Sequence, residues 1–586
     1  MIADLNGMGN YFQWSVVTVS EANLIVVVVM LFIFLLAIVA PFPRGESVGP
    51  EEEPTTHPGA RTNAPAHLGW TGRLREVWLR VLPPGKLLPD TQPAYVASWV
   101  YVFGVASLAS LVVVIASGVV IAMGGVDWWH TSSVGHFVNS LHLWSVELFM
   151  AFMVIHLWAK FWMAAWRGGR AKTWMTGLVA FSVSVVEALT GYLSQQNFDS
   201  QWVATNGKDA FNAAGVGAFF NLMNFGQMLL WHVVLLPLFL IAVVGGHILL
   251  VRAKGVVRPL AMRHEVAPGG SWLATWRARR AADAAAWKGP RRRYDIVKEG
   301  SIATVIALVA TFVLAGVFSS PDDPPVTIQS WALVQPGDFV GTAASELDGT
   351  SETAMYGPPY SNGSSSVQTA VVSWQKLAGI RIPLDPAQDF VLSPLSKLAP
   401  VDPSLAGALA TYNGASSEQQ NTWVTAFMTA FPNARFTQGN MIVPGTGFGP
   451  VPVLLGTELK LAQAGALDSD LVKNVGFYGT DFTKPLLLLE DGTYFASVAE
   501  AKHLTGMQWG VTNETGNYPG QPWLWLYQLW YQVGPMSTSA NVDILAIYLT
   551  TAVMLGLMLV PFLPGIRDLP RWIRIHELIW RRSGAR

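Results

Sequence analysis

Seven stretches of this chain are apolar for about twenty residues or more, the length a helix needs to cross the hydrocarbon of a bilayer. They lie at about residues 17–42, 97–124, 138–163, 173–193, 226–251, 298–319 and 541–563. In lipid every backbone N–H and C=O must be satisfied internally, so continuous runs of this length read as membrane-spanning helices. Composition agrees. Only 13% of the 586 residues are charged and 51% are hydrophobic, against about 25% charged in soluble proteins. A purely soluble protein is excluded. A net charge of −1 supplies no field for nucleic acid. Many of the 25 Trp fall near the ends of the apolar runs, where an indole is half apolar and half wet.

Between the sixth and seventh runs lie about 220 residues of ordinary soluble composition, with short apolar segments and many Gly, Pro and Ser turns such as 360–366. They predict an extramembrane domain of mixed α and β structure. Orientation follows from basic residues. The segments 43–96, 160–172, 252–298 and 564–586 hold 6, 4, 12 and 6 Lys and Arg, together 28 of 37, and all fall on one side of a seven-helix chain. That side is expected to be cytoplasmic. The amino terminus and the long domain, richer in Asp and Glu than in Lys and Arg, are then extracytoplasmic, the carboxyl terminus is cytoplasmic, and the chain sits in the cell (plasma) membrane. No Lys or Arg precedes the first run, so it reads as a retained helix rather than a signal peptide. Residues 43–66 resemble a linker. The Arg- and Ala-rich stretch 271–293 reads either as an amphipathic helix on the inner leaflet or as a plain basic loop.

Four of the 11 His lie inside predicted spans: His142 and His156 on the third, His232 and His247 on the fifth. Polar groups in hydrocarbon are costly and mark function. Fourteen residues separate the first two, a rise of about 21 Å that returns to within about 40° of one face. Fifteen separate the second two, a rise of about 22 Å and an azimuth difference of about 60°. Both helices run in the same direction, so His142 meets His232 near the outer surface and His156 meets His247 near the inner one. Each level offers two imidazoles, too few for a mononuclear zinc site and the number that grips a haem iron axially. Glycines repeat the period. Gly104 and Gly118 are 14 apart on the second helix, and Gly177 and Gly191 are 14 apart on the fourth. They remove side chains where a haem edge presses on backbone. With no Cys in the chain, disulfides, thiolate-held clusters and thioether-linked haem are ruled out, and imidazole is the ligand left.

These residues resemble the cytochrome b/b6 family, the cytochrome b subunits of bc1- and b6f-type quinol oxidoreductases, over about residues 97–320 and 521–570. The segment from His232 through Pro237, Gly246-His247, Arg252 and Gly255 to Pro259-Leu260 is b6-like. Gly191-Tyr192 followed by Trp202-Val-Ala-Thr205 is similar to the family's quinol-site segment, and Val560-Pro-Phe-Leu-Pro564 to the end of a late family helix. The resemblance implies two non-covalent haem b groups, the outer held by His142 and His232 and the inner by His156 and His247, and exchange with quinone, either menaquinone or ubiquinone. It also implies Rieske-type, cytochrome c-type or other oxidoreductase subunits on the outer face, lipid around the bundle, and a homodimer. The chain departs from the family pattern at several positions. Gln195 and Gln196 stand where the family has Pro-Trp, and Asn139 where it has Arg. Gln521-Pro-Trp-Leu-Trp525 stands where it has Pro-Glu-Trp-Tyr, without the Glu.

Glu187 lies one turn before Gly191 on nearly the same face and is the candidate proton acceptor in place of that Glu. Its alternative is a hydrogen-bonded core carboxyl. Glu147 is expected to face a neighbouring helix. His130 and His136 either reach a quinone or a partner, or are solvated loop residues. Arg252, Lys254 and Arg258 either pair with haem propionates or semiquinone, or simply follow the inner-side charge bias.

The expected architecture is a mainly α integral membrane protein: a four-helix dihaem bundle plus three further transmembrane helices, with an inserted mixed α/β extramembrane domain. Its parts are an extra N-terminal transmembrane helix (1–42), a cytoplasmic linker (43–96), the haem-binding bundle (97–258), a basic cytoplasmic loop (259–297), a transmembrane helix (298–319) and the extracytoplasmic domain (320–520). The remainder (521–586) holds a quinol-site-like segment, the last helix and a basic tail. Two functional readings stay open. One is a dihaem cytochrome b passing electrons across the membrane between quinol and a redox partner. The other is a haem b anchor of an extracytoplasmic dehydrogenase or reductase. A haem-free transporter or scaffold would leave the paired His and Gly registers without a cause.

Overall fold

A computed structural model of the chain describes residues 5, 9–14, 17–43, 47–48, 87–260, 287, 289–363, 368, 374–437, 440–473, 479–502, 504–505, 518–520 and 524–581. The expectations for the linker at 51–66, for most of the basic stretch 271–293, and for Gln521, Pro522 and Trp523 lie outside the described residues.

Seven of the described helices are long and apolar enough to cross a membrane, one for each apolar run. They are α1 (Glu21–Val39), α2 (Phe103–Gly124), α3 (Ser133–Trp162), α4 (Ala171–Leu193), α6 (Phe225–Lys254), α7 (Ile296–Phe318) and α8 (Val542–Leu559). Between α4 and α6 lies α5 (Phe198–Ala213). Local chemistry sets their ends. Ser20 and Ser132 accept from the backbone N–H of Asn23 and Gly135 and so cap α1 and α3. Gly125, at φ 82°, turns the chain out of α2.

The bundle is built from two pairs, α2 along α3 and α4 along α6. Helix α7 packs on both α2 and α3, and α8 packs on α4 and α5. Helix α1 joins at the end of the bundle away from the roof, where Ala37 and Ile38 are buried with Val100, Phe103, Trp174, Val560 and Trp580. The Ser98 hydroxyl donates to the Ala37 carbonyl at 3.2 Å. Large side chains on α1 and α7, among them Phe32, Leu35, Val309 and Phe312, are exposed in the isolated chain, as lipid-facing surfaces are.

The domain between α7 and α8 is helical. Its main helices include Pro336–Asp348, Pro403–Asn413, Ser417–Ala430 and Val451–Gln463. The one two-stranded hairpin described in it pairs Arg435–Thr437 with Asn440–Ile442, a smaller β share than the turn-rich sequence suggests. Amphipathic segments here bury their apolar faces against other helices rather than against a sheet. The domain shares a core with the membrane part. Leu193, Phe198, Ala204, Leu222, Met223 and Met228 are buried in one cluster with Trp331, Phe339, Phe390, Leu454 and Leu487. Backbone hydrogen bonds cross the junction from Phe198 to Asp323, from Gly226 to Thr480 and from Phe482 to Met223. Lys208 of α5, 4% exposed, reaches Glu490 at 2.6 Å and Asp209 at 3.0 Å. The domain is therefore a roof fixed over the ends of α4 and α6, not a tethered module.

One core position is costly. Glu458 is fully buried and neither carboxyl oxygen has a hydrogen-bond partner among the described residues, so burial raises its carboxyl well above the usual carboxylate range. The native state then holds a proton that the unfolded chain releases above about pH 4.3, and stability falls as pH rises. Glu458→Leu is expected to raise the unfolding midpoint, followed by tryptophan fluorescence. The gain should be large at pH 8 and close toward pH 4; an equal gain at both would refute the buried-proton account.

Candidate haem-binding site

The four spanning histidines come together in two levels. At the outer level the rings of His142 on α3 and His232 on α6 have centroids 6.2 Å apart and planes at 87°. Two metal–nitrogen bonds of about 2 Å, with roughly 1 Å from each ring centre to its nitrogen, require about 6 Å between centroids. The gap thus suits one metal ion bridged by two imidazoles. The Nδ1 atoms are held from behind. His142 Nδ1 lies 3.0 Å from the Ser117 hydroxyl. His232 Nδ1 donates to the Glu187 carbonyl at 2.9 Å and lies 3.4 Å from Glu187 Oε1. Bonds at Nδ1 leave Nε2 as the free donor of each ring. At the inner level His247 Nδ1 lies 3.2 Å from the Thr176 hydroxyl. His156 Nδ1 is buried without a hydrogen-bond partner among the described residues.

The four glycines explain why these rings can enter the bundle. A Cβ at Gly118 would stand 3.1 Å from His142 Cε1, and one at Gly104 would stand 2.9 Å from His156 Cε1. Gly177 and Gly191 stand in the same relation to His247 and His232, at 3.2 and 2.4 Å. Each glycine seats an imidazole edge. The sequence expectation of space for a macrocycle is sharpened accordingly: among protein atoms, the ligand ring itself fills the vacated volume. Helices α2 and α4 thus buttress the rings that α3 and α6 carry.

Spacing on α6 is reconciled by a local irregularity. Residues Trp231–Leu235 form a turn of π-helix, which accommodates one extra residue in an α-helix. Pro237 follows, and it lacks an N–H for the carbonyl of Val233. The 15-residue interval from His232 to His247 therefore spans the same turns as the 14 from His142 to His156, and both pairs align.

Among the described residues no group of three or more His, Cys, Asp or Glu is placed to hold a metal ion. Paired imidazoles, seated on glycine and braced at Nδ1 at three of the four positions, fit haem b. The profile described as "Cytochrome b(N-terminal)/b6/petB" matches residues 147–325, which include His156, His232 and His247.

Over those residues the chain is similar to the cytochrome b family, as a diverged relative.

The cytochrome bc complex cytochrome b subunit of Chlorobaculum thiosulfatiphilum is 28% identical over 139 residues, covering 22% of this chain and 32% of that one. Cytochrome b6 of Heliomicrobium gestii is 26% identical over 137 residues, covering 22% and 64%. The menaquinol:cytochrome c reductase cytochrome b subunit of Geobacillus thermodenitrificans is 24% identical over 187 residues, covering 28% and 84%. The chain thus spans about a third of the first of these cytochrome b relatives and under two thirds of the second. A solved structure described as "Hyperthermophilic respiratory Complex III" aligns over 68% of this chain and 96% of its own with 15% identity and a TM-score of 0.30.

The other candidates are placed as follows. Tyr192, 3% exposed, belongs to an apolar cluster with Phe149, Leu240 and Leu524. That places the described part of the quinol-site-like segment, from Leu524 onward, beside the end of α4. Glu147 is 7% exposed and its Oε1 has no hydrogen-bond partner among the described residues. His130 is half-buried and held: it meets Asp322 Oδ1 at 2.8 Å and the Gln195 carbonyl at 3.0 Å. His136 holds the Ser319 hydroxyl at 2.9 Å. At the far end of α6, Arg170 donates to the Lys254 carbonyl and Arg167 to the Arg258 carbonyl, fixing the turn after α6. Ser117 and Thr176 are the braces the sequence reading passed over. Their signal was available, since each immediately precedes one of the four glycines.

Gly191→Ala places a methyl group within 2.4 Å of the His232 ring, closer than van der Waals contact allows, so the ring must leave its position. The expected outcome is loss of the outer haem with the inner one retained, read as a halved amplitude in the reduced-minus-oxidised spectrum. Gly191→Ala with full amplitude would contradict the seating role.

Proposed function

We propose that this chain is the dihaem cytochrome b subunit of a respiratory electron-transfer complex, moving electrons across the membrane between a quinol and a redox partner subunit on its outer face. The single observation that supports this most is the two-level register of imidazoles on glycine seats. A haem at each level, bound through His142 and His232 or through His156 and His247, supplies a one-electron carrier. The levels are about 21 Å apart along α3, so the pair crosses most of the apolar layer. The amino terminus and the roof domain are taken as extracytoplasmic, following the basic inner segments.

The chain's own residues do the remaining work. Ser117, Thr176 and the Glu187 carbonyl fix the ring orientations of His142, His247 and His232. The apolar cluster around Tyr192 and Leu524 keeps water from the outer site. Glu187 Oε2 is buried without a partner among the described residues, and it accepts one proton from a quinol hydroxyl.

A second reading keeps the haems and makes the chain the membrane anchor of an extracytoplasmic dehydrogenase or reductase. It is favoured by the roof, which leaves the ends of α4 and α6 covered by the chain's own domain. Identification of the co-purifying subunits separates the two: a Rieske-type or cytochrome c-type subunit supports the first, a large catalytic oxidoreductase the second.

Redox titration tests the dihaem core. His142→Ala and His156→Ala should each abolish a different one of two potential steps. Loss of both steps from either substitution, with the helical fold intact, would contradict independent levels.

A further inference from the structure

A half-buried line of hydroxyl and carboxyl groups leads away from the quinol-site-like segment. Leu524 packs in the cluster that contains Tyr192, and one turn further on stands Tyr527. Its hydroxyl is 2.9 Å from that of Tyr531, and the two rings meet edge-on with centroids 5.6 Å apart. The Tyr531 hydroxyl donates to Asp543 Oδ1 in the first turn of α8. Gln368, from the roof domain, donates to Asp543 Oδ2 and accepts from the Ile544 N–H at 3.1 Å. Trp530 anchors the same segment to Thr550 of α8 at 3.1 Å. Burial raises both tyrosine hydroxyls above their usual range, so they stay protonated and can pass a proton without ionising.

We propose that Tyr527, Tyr531 and Asp543 form a proton relay at the outer quinol site, with Asp543 as its accepting end. This rests on the quinol-oxidising reading above and adds a residue set to it. Oxidation of a hydroquinone to a quinone breaks two O–H bonds and releases two protons and two electrons. The electrons leave to one-electron acceptors, a haem of this chain and a redox group of a partner subunit. Glu187 takes one proton. For the other, a quinol O–H bond breaks as its proton reaches the Tyr527 oxygen, the Tyr527 proton passes to Tyr531, and the Tyr531 proton passes to the Asp543 carboxylate. Each tyrosine ends neutral and Asp543 ends protonated. The groups that set the field at Asp543 are Tyr527 and Tyr531 from the preceding segment, Gln368 from the roof, and Asp209 and Lys208 from α5. Lys208 also pairs with Glu490 of the roof. Asp543 acts through the tyrosines and is a positioning and proton-accepting group rather than one that touches the quinol.

The test is the initial rate of haem b reduction in the purified complex by a water-soluble naphthoquinol analogue, from pH 5 to pH 9. Asp543→Asn and Tyr527→Phe should each lower the rate about 100-fold and abolish its pH-dependent limb. Asp543→Glu should restore part of both. Haem spectra and midpoint potentials should match wild type in all three. Tyr527→Phe removes only a hydroxyl, so it reports even if Asp543→Asn perturbs packing. Wild-type rates and pH profile in Tyr527→Phe and Asp543→Asn would overturn the relay. Failure of the analogue to reduce the haems of the wild-type complex would overturn the quinol-oxidising reading and the relay with it.

Discussion

The structure depends on the contact between an imidazole edge and a glycine, made four times. A histidine ring in the apolar layer is costly unless its nitrogens are used. Here Nδ1 is tied to a neighbouring helix at three of the four positions, and the ring is pressed against a helix that offers no Cβ. This fixes which helix lies beside which. Gly118 and Gly104 hold α2 to α3, and Gly191 and Gly177 hold α4 to α6. The two pairs then face each other with two imidazoles at each height. The remaining spans, α1, α7 and α8, pack around this frame and leave apolar faces to lipid.

The roof follows from the same frame. Helix α5 continues from the end of α4 and lies under the domain between α7 and α8, which buries α5 with its own core residues. A buried Lys208 paired across the junction is tolerable only because Glu490 and Asp209 meet it there. His130, bound to both Asp322 and the Gln195 carbonyl, stitches the turn before α3 to the same junction. The roofed end of the bundle is therefore a composite of chain segments far apart in sequence.

Much of this was legible in the sequence, because it is periodic. Runs of apolar residues gave the spans, and the intervals of 14 and 15 gave the two histidine levels. Helical rise and azimuth depend only on counting. What was not legible depended on contacts between distant segments. The mismatch of 14 against 15 needed the π turn before Pro237. The Gln195 carbonyl as partner of His130, the burial of Lys208, and Asp543 as partner of Tyr531 join residues from a dozen to hundreds of positions apart, with no local pattern to announce them. In the turn-rich stretch 320–520 the balance between helix and strand was not legible, because Gly and Pro punctuate short helices and short strands alike; helix predominates beside one hairpin among the described residues.

The central claim is that two imidazole-held haems lie at different depths of one bundle. It is tested most directly by a pyridine haemochrome assay on the purified chain, with haem counted per polypeptide after solvent extraction. The account predicts about two b-type haems per chain, both extractable because no cysteine can hold them. No haem, or a single haem lost entirely on replacing either level's histidines, would contradict it.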